Sequence, residues 1–209
     1  TDVYILGDLF EAWIGDDALS ETARRVAVAM RRLSESGVNC FFMHGNRDFL
    51  LGESYAHEAG LILLPEALVI ELYGEPTLLL HGDSLCTDDV EYQAFRQQSR
   101  NPDWQAGILS LSVEERIELA RNARDASKAH TGSTAMDIMD VNEDAVLKAF
   151  EAHAVRRMIH GHTHRPAIHR HQLSDGRSAE RIVLADWCSE GSYLRVDPGG
   201  TKSASVGDG

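Results

Sequence analysis

Three imidazoles fall within five residues near the end of the chain: His160, His162 and His164, in the run "MIHGHTHRP" (158–166). Neutral imidazole moves protons at physiological pH and is a common metal ligand. Other polar groups also end short apolar runs: Asp8 after "VYILG", His44 and Asn46 after "CFFM", His81 and Asp83 after "TLLL", and Asp186 after "RIVLA". Taken singly, any one of these histidines reads better as a group that caps a strand or satisfies nearby backbone. Taken together, Asp8, Asn46, His81, His162 and His164 supply carboxylate, amide oxygen and imidazole. That mixture suits borderline divalent metals such as Mn, Fe, Zn or Co. An all-oxygen cage would suit Ca or Mg, and thiolates would suit structural zinc. In extended chain, residues two apart point to one side. His162 and His164 are therefore expected to face one cavity and, standing apart along it, to serve different ions. His44 and His160 lie just inside the strand ends and read as structural.

The elements that position these groups follow from the same runs. Five runs, "VYILGD", "CFFMHGN", "TLLLHGD", "RRMIHGH" and "RIVLADW", are short and unbroken, as expected of strands buried on both faces. In open α/β sheets, sites gather at the carboxyl ends of strands. Helical patterns lie between them. Residues 20–37 place Val26, Met30 and Leu33 on one stripe and stop at Gly37. Residues 53–60 form a shorter helix with a similar glycine stop. Ser112 and Glu115 make a capping box ahead of residues 113–128. Residues 142–155 set Val146 and Phe150 at helical spacing. The alternation predicts an α/β fold. Residues 100–135 interrupt it and read as a helical cap or lid inserted into a core of 1–99 and 136–197. The Gly/Ser-rich tail, 198–209, is expected to be disordered.

Composition narrows the function. The 209 residues are 43% hydrophobic and 25% charged, ordinary for a globular protein, and no apolar stretch is long enough to span a bilayer. Cys40, Cys86 and Cys188 form no disulfide framework, which fits a reducing cytosol. A net charge of −13 argues against nucleic acid as a partner, since no basic excess neutralises phosphates, but leaves room for one small phosphorylated substrate. The chain opens on Thr1 with a strand already under way, and is expected to be a fragment or processed product. Roughly thirty residues, one strand and its crossover helix, would complete a βαβ start.

In order along the chain, "GD", "GNRD", "HGD" and "GHTH" resemble the motif series of the calcineurin-like metallophosphoesterases. The longer forms "YILGDLFEAWIGDD", "HGNRDFLLG", "HGDSLCTDD", "MDVN" and "IHGHTHRP" resemble the UDP-2,3-diacylglucosamine hydrolase family, over residues 2 to 194. The resemblance implies a layered α/β/β/α sandwich with a helical cap. It implies two Mn2+ ions in the complete enzyme, with Asp8 bridging, Asn46, His81 and His162 completing one ion, and His164 on the other. The family's Asp-x-His, on a first strand, is absent, so one site is well supplied with ligands and the second is short of them. Asn46, Arg47 and His162 are implied as catalytic. Asn46, Arg47, Asp89, Ser127, Thr131, Thr134 and His162 are implied as substrate-binding, with Thr134 standing where the family often has Lys. For Arg47 the physics agrees, because a guanidinium offers phosphate a permanently charged fork. Asp48 is expected to orient a neighbour.

The implied reaction is hydrolysis of the pyrophosphate bond of UDP-2,3-diacylglucosamine, in lipid A biosynthesis. Metal-activated hydroxide attacks the α-phosphate and releases UMP and 2,3-diacylglucosamine 1-phosphate. A diacylated substrate implies a peripheral protein on the cytoplasmic face of the inner membrane. Trp104, Ile108, Leu109, Leu111, Val113 and Ile117 then either meet acyl chains or bilayer, or form the buried side of the cap. Two alternatives stay open: another metallophosphoesterase acting on nucleotides or phosphoproteins, and a metal-binding fragment without catalysis.

Overall fold

A computed structural model of the chain describes residues 1–133, 138–187 and 191–206, with the backbone alone for 128–133. It divides into two compact units: Thr1–Pro65 with Thr87–Asp140, and Glu66–Cys86 with Val141–Gly209.

In the first unit, β1 (Asp2–Leu6), β2 (Asn39–Met43) and β3 (Leu61–Leu64) form a parallel sheet in that order, with Leu6 opposite Met43 and Met43 opposite Leu64. Parallel neighbours need crossovers. These are α1 (Glu21–Glu35) and α2 (Glu53–Ala59). Ser20 caps α1 by accepting from the Ala23 amide at 3.1 Å. The α2 N-cap, Gly52, has no side chain to offer, and Asp16 from the loop after β1 takes over, accepting from the Gly52 and Tyr55 amides, each at 2.9 Å. Asp16 also accepts from the Trp13 indole at 3.0 Å. Tyr55 packs edge-on against Phe10 and Trp13 in the core of this unit, beside Phe42 and the buried Ala23 and Ala27.

The same unit holds α3 (Val90–Ser99), α4 (Pro102–Leu109) and α5 (Val113–Ser133). The Ser112–Glu115 capping box forms: the Glu115 carboxylate accepts from the Ser112 amide at 2.9 Å, and the Ser112 hydroxyl accepts from the Glu115 amide at 3.3 Å. One turn later Arg116, 3% exposed, donates to the Ile14 carbonyl at 2.6 Å and to Asp17 at 2.7 Å. Gly15 makes room for it. A Cβ there would stand 2.2 Å from the Arg116 guanidinium, on a backbone with φ +131°.

The second unit contains β4 (Ala67–Leu72), β5 (Glu75–Leu80), α6 (Glu143–Ala152), β6 (Arg157–His160), β7 (Ala167–Gln172) and β8 (Ser178–Val183). The sheet order is β4-β5-β6-β8-β7. Its inner strands β5, β6 and β8 run parallel and are the unbroken apolar runs of the sequence. The edges β4 and β7 are antiparallel hairpin partners whose residues alternate in exposure, so no such run marks them. A separate hairpin joins β9 (Ser192–Asp197) to β10 (Gly200–Ser205). This corrects the disorder expected of 198–209 over residues 198–206, and 207–209 lie outside the described residues. Small polar residues bring no apolar signal, but the ladder needs only their backbone, and the turn is set by Asp197 accepting from the Gly199 amide at 2.8 Å.

Candidate active site

Among the described residues, only five non-glycine positions have positive φ, and Asp8, His162 and His164 are three of them. Left-handed backbone costs an L-residue energy and persists where surroundings impose it, often at functional sites.

In the first unit the imposing group is Asp48, fully buried. Its carboxylate accepts from the amides of Asp8 (3.2 Å), Leu9 (2.7 Å), Phe10 (3.4 Å) and Gly45 (2.8 Å). The turn after β1 is thereby fastened to the turn after β2, and Asp8 is aimed by a neighbour, as expected of Asp48. A Cβ at Gly45 would lie 2.2 Å from the Asp8 carboxylate, so the second turn rests directly on it. Arg47 gives its amide to Asp8 at 3.0 Å and holds its Nε 3.5 Å from the other Asp8 oxygen. Asn46 sits half-buried in this turn. Arg100 donates to the Gly45 carbonyl at 2.9 Å. His44 lies with Nε2 2.7 Å from the Leu51 carbonyl, a structural role as expected.

In the second unit, β5 and β6 end beside each other, with the Gly161 amide donating to the His81 carbonyl at 2.8 Å. His81 is 3% exposed, and its Nε2 lies 3.2 Å from His162 Nδ1. Burial, and then the neighbouring His81, push the His162 pKa down to about 3, with Asp83 pulling the other way. His162 is thus neutral at neutral pH and keeps a lone pair. His160 is fully buried, with Nδ1 2.9 Å from the Gly161 carbonyl and Nε2 3.1 Å from an Arg181 nitrogen. Arginine only donates, so His160 Nε2 accepts and the Nδ1–H donates to Gly161. The Arg181 Nε donates to His171 Nε2 at 3.4 Å, and His171 Nδ1 faces Glu143 at 2.7 Å.

One expectation fails here. His162 and His164 do not continue the strand. β6 ends at His160, and both later histidines are left-handed, at φ 64° and 55°, in a turn closed by the Thr163 amide on the Gly161 carbonyl. Strand alternation therefore gives no account of where they point. His164 Nδ1 stands 3.4 Å from Asp186, the polar end of the β8 run.

Residues 2–166 match the model of the calcineurin-like phosphoesterase family. The chain belongs to that family. It is 54% identical over 205 residues to the UDP-2,3-diacylglucosamine hydrolase of Stenotrophomonas maltophilia K279a, covering 95% of this chain and 82% of that one. It is 50% identical over 198 residues to the enzyme of that name from Edwardsiella ictaluri, covering 95% and 76%. With the one from Salmonella typhi it shares 52% over 197 residues, covering 94% and 81%.

The donors of this phosphoesterase fit a divalent ion. Asp8 offers carboxylate oxygen, His81 and His162 converge as imidazole nitrogens with His162 held neutral, and the described cysteines, Cys40 and Cys86, are buried thiols. A carboxylate at His164 Nδ1 favours a proton there and leaves Nε2 available as a ligand. The expected substrate residues fare differently. Asp89 is 7% exposed and caps α3, accepting from the Tyr92 amide at 3.0 Å. Ser127 is exposed on α5. The Thr131 side chain and Thr134 lie outside the described residues. The structure also adds groups that no local pattern marked. Arg181 and His171 back the histidine turn. Glu11 and Arg124 stand beside Arg47, joined across 36 and 113 residues of sequence.

Proposed function

We propose that the chain hydrolyses the pyrophosphate bond of UDP-2,3-diacylglucosamine, giving UMP and 2,3-diacylglucosamine 1-phosphate. The observation that carries this reading is 54% identity, over 82% of its length, to a relative of that name. Asp8, Asn46, His81 and His162 are the residues that would hold one Mn2+, and Asp8 with His164 would serve a second. Bound cations of this kind acidify water and draw charge from a phosphoryl group. The chain's own part is positioning. Asp48 aims Asp8, and the Gly161 tie to His81 sets the histidines at the end of β6. Arg47 takes up phosphoryl charge as it develops, with Asn46 and His162 beside the reacting group. Ser127, Thr131 and Thr134 contact the head group from α5 and the residues after it, and Asp89 does so from the α3 cap.

A substrate with two acyl chains supports work as a peripheral protein at the cytoplasmic face of the inner membrane. Among the described residues no helix is long and apolar enough to cross a membrane. Leu109, Ile117 and Leu119 are 42–44% exposed on α4 and α5, and supply apolar surface for acyl chains or lipid. The test is incubation with UDP-2,3-diacylglucosamine and Mn2+ in 18O-water, read by mass spectrometry. UMP carrying the label is the expected product, since attack falls on the α-phosphorus. Cleavage of soluble dinucleoside polyphosphates, with the lipid left intact, would replace this reading with another phosphoesterase activity.

A further inference from the structure

Two guanidiniums in the first unit converge on one oxygen. Arg47 Nη1 and Arg124 Nη2, the latter at 2.7 Å, both donate to Glu11 Oε2. The acceptor is not a buried structural carboxylate: the Glu11 side chain is 66% exposed, and those of Arg47 and Arg124 are 37% and 44% exposed. Exposed ion pairs of this kind contribute little to stability. Both arginines are also held independently of that carboxylate. Arg124 Nη1 reaches the Glu11 backbone carbonyl at 3.3 Å. Arg47 is fixed through its amide on Asp8, its carbonyl under the Trp13 amide at 3.0 Å, and its Nε facing Asp8. If the Glu11 carboxylate swings away into solvent, both forks remain.

A pair of preset, solvent-reachable guanidiniums sharing one anionic oxygen is the arrangement that receives a phosphoryl group. We propose that Glu11 is a stand-in for substrate. Its carboxylate occupies, in the resting chain, the place that a phosphoryl oxygen takes, which makes Arg124 a second phosphate-binding cation and Glu11 a selector of charge. A ligand entering the fork must displace a monoanion already held by two cations. A group with two negative charges does so favourably, and a phosphodiester with one gains little. This rests on the hydrolase reading only for the identity of the natural ligand.

The test is turnover-independent. Inorganic pyrophosphate is titrated by calorimetry into the EDTA-treated chain, as wild type, Glu11→Gln, Arg124→Ala and the double variant. Glu11→Gln keeps the shape and removes the competing charge, so it should bind pyrophosphate about two- to ten-fold tighter. Arg124→Ala should weaken binding, and the double variant should lose the gain. Dimethyl phosphate, a monoanion, should bind wild type poorly and recover in Glu11→Gln. Equal or weaker pyrophosphate binding by Glu11→Gln, with an unchanged circular dichroism spectrum, overturns the proposal, as does absence of binding in both chains. If the gain appears but UDP-2,3-diacylglucosamine is not cleaved, the fork stands and the substrate assignment falls. If cleavage occurs without the gain, the reverse holds.

Discussion

In the first unit the turn after β1 is fastened by a buried anion, Asp48; in the second the turn after β6 is backed by a buried cation, Arg181. The anion is solvated by four backbone amides, at the carboxyl ends of two parallel strands. The cation is solvated by side chains, His160 and His171, with Glu143 beyond. A carboxylate that replaces water with amides is strongly bound to its backbone. Partners that are side chains can adjust by rotating about their own bonds, which backbone amides in a fixed turn cannot. One end should therefore be brittle and the other compliant.

The sharpest way to break that contrast is Asp48→Ala, which orphans the four amides in a buried place. It should cost on the order of 3–5 kcal/mol in urea unfolding, or prevent folding. Arg181→Met should cost less, about 1–3 kcal/mol, because a hydrophobic of similar volume removes the charge along with its partners' donor. It should also weaken Mn2+ binding measured by calorimetry, since Gly161 loses the support that reaches it through His160. If Arg181→Met proved as damaging as Asp48→Ala, the two ends would not differ in kind.

The first unit's frame was largely legible in the sequence, because β1, β2 and their crossovers announce themselves by apolar runs, a helical stripe and glycine stops. The second was legible only at its centre. The edges β4 and β7 alternate, and the β9–β10 hairpin is polar, so neither periodicity nor composition separated them from loop. The ligand candidates were legible as residue types at strand ends, but their backbone was not. Asp8, His162 and His164 take left-handed φ, a conformation uncommon for any residue but glycine and held by contacts such as Asp48's. The Glu11–Arg124 contact spans 113 residues and leaves no local trace.

A third prediction concerns pH in the metal-free chain. The His162 pKa is about 3 when folded, against 6.5 for the free side chain. Between those values the unfolded chain binds the proton and the folded chain does not. The stabilisation from a neutral His162 is therefore full above pH 6.5 and lost progressively as pH falls towards about 3. His162→Gln should flatten that part of the stability profile, read as Tm against pH. An unchanged slope would show that His162 does not carry it. The smallest effect is expected from Arg100→Met, which removes a donor from the Gly45 carbonyl while Asp48 still holds the turn. About 1 kcal/mol should be lost in urea unfolding. A loss as large as that of Asp48→Ala would mean that the first unit, too, depends on a cation.

Arg116 turns α5 into a lever with a fixed fulcrum. Its guanidinium is bolted to Ile14 and Asp17 over Gly15, so any tilt about that point is magnified further along the helix. At 1.5 Å per residue, Arg124 rides ~12 Å and Ser127 ~16 Å from the pivot, so a tilt of about 5° moves Ser127 by ~1.4 Å. Gly15→Ala drives a wedge under the fulcrum, against Arg116, Asp17 and Leu109, and touches neither Arg124 nor Ser127. It should nonetheless present in a kinetic assay as a raised KM, the mark of a displaced arm rather than a missing hand.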